Sequence, residues 1–121
     1  MIFDVDVWLR GSDHATTQTV DDIAHAPDAW DDEDVRKVLE GMLRAMHRLK
    51  HPASDDPHVA LRGLSWIVNP YEGGGVVIAL EITLGAAVAG PFDADQTRLE
   101  AAIARVLRRD PPPEPSSAVV H

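Results

Sequence analysis

At 121 residues the chain is long enough for one hydrophobic core, and a formal net charge of −9 sets it against nucleic acid and anionic membrane surfaces. It holds no cysteine, which excludes a disulfide framework, a thiolate metal site and a cysteine nucleophile. No stretch approaches the roughly 20 apolar residues that cross a bilayer, and no signal peptide is read, so the expected setting is cytoplasmic, with no membrane partner.

Residues 2–10, IFDVDVWLR, alternate. Phe3, Val5, Val7 and Leu9 share one face and Asp4, Asp6, Trp8 and Arg10 the other, the pattern of a half-buried strand. Gly11-Ser12-Asp13 ends it. In 14–30, Thr19 reads as the cap of a short helix holding Val20, Ile23 and Ala24, closed by Pro27. Trp30 then sits as a hydrophobic lead-in to the next helix. That helix, residues 32–50, is the clearest element: Val35, Val38, Leu39, Met42, Leu43, Met46 and Leu49 recur at three and four residues. Acidic residues crowd its start and Arg44, Arg48 and Lys50 lie toward its end, in accord with the helix dipole. Pro52 disfavours helix at His51 and stops it near Lys50.

From His58 to Leu84 two apolar, β-branched runs flank NPYEGGG, the signal of a β-hairpin with a longer loop. With Val68 taken opposite Val77, one face carries Leu61, Gly63, Ser65 and Ile67 with Val76, Ile78, Leu80, Ile82 and Leu84. This face is read as the core side. The other carries Arg62, Leu64, Trp66 and Val68 with Val77, Ala79, Glu81 and Thr83. Segment 85–92 reads as a small-residue passage, with Asp93 as the cap of a final helix over about 94–109. The tail 111–121, opened by PPPEPSS, reads as extended or disordered.

The expected fold is therefore a single α+β domain over 1–110. It is a two-layer sandwich in the order β-α-α-β-β-α, with a small three-stranded sheet, a central hairpin and two amphipathic helices on one face. Two helices cover only one side of such a sheet. The uncovered side is expected to present Arg62, Leu64, Trp66, Val68, Val77 and Glu81 as a partner- or ligand-binding surface. It is closed by a second copy, by a foreign partner, or by the chain's own segment 13–30.

The candidate chemistry is sparse. His47 and His51 are four apart and His58 follows, a low-ranking set of metal ligands that lacks the HExxH pattern. Glu81 interrupts an apolar strand and needs a partner, for which Arg62 is the diagonal neighbour. Asp4 and Asp6 share a strand face with Trp8 and could hold a divalent ion, although an exposed acidic strand is the commoner outcome. Gly73-Gly74-Gly75 lacks the lysine and following helix of a phosphate loop. No catalytic residue and no cofactor is identified.

The sequence thus reads as a small acidic protein acting through protein–protein contacts, most simply a homodimer through the open sheet face. A narrower version is an inhibitor, immunity or chaperone-like binder of a basic partner. The alternatives are a small-molecule binder or enzyme around Arg62, Trp66 and Glu81, and a histidine-based metal protein.

Overall fold

A computed structural model describes residues 1–21, 23–52 and 59–109. The elements are β1 (Ile2–Leu9), β2 (Thr16–Asp21), a single 3-10 turn (Pro27–Ala29), α1 (Asp32–Lys50), β3 (Ser65–Pro70), β4 (Val76–Ile82), β5 (Gly85–Phe92) and α2 (Gln96–Arg108). The strands form one five-stranded antiparallel sheet in the order β2-β1-β5-β4-β3. The α+β class holds. The three-stranded sheet and the order β-α-α-β-β-α do not, because two segments read as non-strand are strands. The expected tail, 111–121, lies outside the described residues.

The first of these is β2. Thr19 caps no helix; it pairs with Asp4, while Val20 pairs with Phe3 and turns into the core. Its alternating threonines and valine suit a pleated surface better than a helix turn. Segment 13–30 therefore widens the sheet and does not fold over its open side. The second is β5, which lies at the centre of the sheet between β1 and β4. Ala87 and Ala89 are buried there. Small side chains at a central position let α1 approach closely. At Gly85 the carbonyl of Trp8 on β1 occupies the space a Cβ would need.

The core lies between the sheet and the two helices. Val5, Val7, Ile78 and Leu80 point from the sheet toward Val38, Leu39, Met42 and Met46 of α1 and toward Leu99, Ile103 and Val106 of α2. α1 spans Asp32–Lys50 as its periodicity requires, and His51 is its C-cap, outside the helix. α2 begins later than expected: Asp95, not Asp93, is its N-cap and accepts from the Arg98 N–H at 2.9 Å. The helices are tied by Arg105, whose Nε and Nη2 donate to the two oxygens of Asp32 at 3.0 and 2.9 Å.

The hairpin register differs by one residue from the expected one. Val68 pairs with Ile78 and Pro70 with Val76, and the loop is Tyr71–Gly75, closed by a hydrogen bond from the Tyr71 N–H to the Gly75 carbonyl at 2.9 Å. A one-residue slip inverts every side chain of a strand. Trp66 and Val68 consequently face the helices, and Ile67 faces out. Gly75 makes the tight return possible, since its φ is +78° and a Cβ there would stand 2.5 Å from the Phe92 carbonyl oxygen.

Candidate functional site

The sheet has one covered and one open side, and the pairing register reads out the open side in rows. One row runs Trp8, Ala86, Glu81, Ser65, from β1 through β5 and β4 to β3. The next runs Thr17, Asp6, Val88, Ala79, Ile67 across all the strands. Below it lie Thr19 with Asp4, and Val77 with Asn69. An apolar band of Ala86, Val88, Val77, Ala79 and Ile67 therefore fills the middle and the β3 side. Ile67 is 50% exposed, and Trp8, at 38%, stands at one end.

The β1–β2 side of the same face is acidic. Asp6 accepts from the Thr17 hydroxyl at 2.6 Å, and Asp4 is within 3.4 Å of the Thr19 hydroxyl. With Asp21 and Glu81, every charged side chain that the strands present on this face is a carboxylate. A surface that joins an apolar band to unneutralised carboxylates is suited to binding.

The residues singled out from sequence are divided by the fold. Val77 and Glu81 lie on the open face. Trp66 is half-buried on the helix side and Val68 is buried there, with Leu64 packed against the same core just before β3. Arg62 is exposed in the approach to β3 and, with His47, lines a recess of about 390 Å³. Trp66 and Glu81 thus stand on opposite sides of the sheet, so the structure does not assemble them with Arg62 into one pocket. Among the histidines, His47 is in the last turn of α1. His51, at the C-cap, donates its backbone N–H to the His47 carbonyl at 2.8 Å. His58, with Asp55 and Asp56, lies outside the described residues.

A different set of ligand-type side chains does converge, at the N-terminus of α1. Asp34 is buried at 3% exposure, and its Oδ2 receives His25 Nδ1 at 2.7 Å and the Asp31 N–H at 3.1 Å. The Asp31 carboxylate accepts the Asp34 N–H at 2.8 Å, completing a capping box. Burial pushes the Asp34 carboxyl up, but the hydrogen bonds from His25 and from the Asp31 backbone hold it below its usual value. The hydrogen bond to Asp34, with the charges of Asp34 and Asp31, raises His25. His25, Asp31 and Asp34 lie close enough to meet one ion. Their oxygens are instead engaged in starting the helix, and the cluster reads as a cap. Sequence reasoning placed Trp30 as the lead-in here but missed His25, which gives no local signal.

Of the apolar residues on the face, Ile67, Ala79, Ala86, Val88 and Trp8 are absent from the binding set named from sequence, although Ala79 was placed on that side. For Trp8 the signal was present, since the alternation of β1 puts it beside Asp4 and Asp6. For Ala86 and Val88 it depended on seeing β5 as a strand. Comparison with protein-family models, with curated proteins and with solved structures finds no significant match. The functional reading rests on the face itself.

Proposed function

We propose that this chain acts through protein–protein contact, that the open sheet face is the contact surface, and that a second copy occupies it. The observation that supports this reading is the continuous apolar band Ile67–Ala79–Val88, with Ile67 exposed and Ala79 and Val88 half-buried, on a side that no described element covers. Five strands about 4.8 Å apart, each about 20 Å long, offer about 500 Å² per partner and about 1,000 Å² in all, the lower end for a specific interface.

Charge selects the way two such faces meet. A two-fold axis across the strands stacks Asp4 and Asp6 on their own copies, which like-charge repulsion opposes. An axis along the strands, over β5, swaps the edges of the sheet. Asp6 then lies over Ala79 of the second copy, and Val88 meets Val88 at the centre. The test is solution mass by light scattering across a dilution series. The expected result is a dimer that Val88→Arg converts to monomer without loss of helical or strand signal. A monomer at every concentration overturns the reading.

A further inference from the structure

The two edges of the sheet differ. The Arg10 N–H donates to the Leu84 carbonyl at 2.9 Å, which turns the even-numbered backbone groups of β1 toward β5 and the odd-numbered ones toward β2. In the register Val5 with Gln18, the groups of Gln18 are paired with β1, and Thr17, Thr19 and Asp21 direct their N–H and C=O groups away from the sheet. At the other edge the Tyr71–Gly75 bond fixes the alternation, so that Trp66, Val68 and Pro70 face outward. Pro70 has no N–H to offer, and the Val68 carbonyl is taken by Gln96 Nε2 of α2 at 3.0 Å. The β3 edge is thereby closed to a further strand. β2 carries no proline, no lysine and no break in its pairing, the usual guards of an exposed edge. No described side chain caps its outward groups.

We propose that β2 is a docking edge that takes an extended segment of another protein as an added strand, and that this segment carries lysine or arginine at alternate positions. The choice of occupant comes from charge. An added strand lies about 4.8 Å from β2, and its side chains on the open face stand beside Thr17, Thr19 and Asp21. Long basic side chains there reach across the threonines to Asp4 and Asp6, which make no ion pair with any described cation. Backbone pairing supplies the affinity and alternate side chains the specificity, as in other strand additions. A second copy pairing through β2 brings no cation to those carboxylates. The face dimer leaves the outward backbone groups of β2 accessible and shares only Asp6 with the basic side chains of the added strand.

The test uses the full chain and a short soluble peptide of alternating threonine and lysine, with a threonine–glutamate peptide as its counterpart. Binding is followed by backbone amide shifts and by calorimetry. The lysine peptide is expected to shift the amides of Thr17, Thr19 and Asp21 and to bind more weakly as salt rises. Thr19→Pro removes an outward N–H without touching the β1 ladder and is expected to weaken binding by about tenfold or more, with helical signal and solution mass unchanged. Asp4→Asn with Asp6→Asn is expected to weaken the lysine peptide selectively. Shifts confined to β3, equal binding of the glutamate peptide, or no shift at millimolar peptide each overturn the proposal. So does a change of mass in Thr19→Pro, which would assign β2 to a second copy. Failure of the face dimer shows instead as monomeric parent protein and leaves these readouts unaffected.

Discussion

His25 Nδ1 stands 2.7 Å from Asp34 Oδ2, and the carboxylate in that pair is buried at the start of α1. The link holds the β2–α1 connector, since the Trp30 indole N–H donates to the His25 carbonyl at 2.9 Å while its ring packs edge-on to Phe92. The pair makes stability depend on pH from both sides. The contribution of His25, whose pKa is raised from 6.5, is full below 6.5 and fades as pH rises through the raised value. The contribution of Asp34, lowered from 3.8, is full above 3.8 and fades as pH falls through the lowered value. Melting temperature should therefore plateau between these limits. His25→Gln should flatten the alkaline decline; a decline that survives the substitution would assign it to another group.

Asp34→Ala removes one half of the capping box, the side chain that accepts the Asp31 N–H, while the backbone N–H of position 34 still donates to Asp31. A loss of about 1–2 kcal/mol is expected in urea unfolding, within the range for capping residues. The same substitution at exposed Glu33, in the same turn, is expected to change stability by no more than about 0.5 kcal/mol.

Gly85→Ala drives a Cβ into the carbonyl of Trp8, a backbone atom that cannot rotate away. The expected cost is at least about 2 kcal/mol, measured by denaturant midpoint. Gly73→Ala is the control. A Cβ there meets the Tyr71 ring at an ordinary 3.5 Å, and stability should change by no more than about 0.5 kcal/mol.

Trp8 can report on the face directly. In a chain carrying Trp30→Phe and Trp66→Phe, Trp8 is the remaining indole, and it is solvent-exposed. Its emission should move to shorter wavelength as protein concentration rises through the dimer transition. An emission maximum that stays fixed while the mass doubles would place the dimer contact elsewhere.

What the sequence made legible follows from signal strength. β1 and α1 each carry a long, clean period and proper ends, and both came out with their faces correct. β2 was misread because Thr19 is as good a helix cap as a strand residue, and six residues are too few to choose between periods. β5 was missed because its alanines and glycines have low strand propensity. Their smallness is a response to the helix above, which a local window does not contain. The hairpin slipped by one because Pro70 was counted with the turn, whereas an edge strand accommodates proline where the N–H would point to solvent. That single residue moved Trp66 and Val68 off the open face and Ile67 onto it.

The central place of β5 also sets a schedule. β1 pairs on one side with β2, its neighbour in the chain, and on the other with β5, which is made only after α1, β3 and β4. Until β5 emerges, the N-terminal hairpin and α1 have a backbone edge and an apolar surface with nothing to close them. The sheet joins only when the last strand slots between two hairpins already waiting for it. Loop-closure entropy then makes that long-range pairing the slow step, and a nascent chain halted before Gly85 would be left with the aggregation-prone edge that the finished protein buries at its centre.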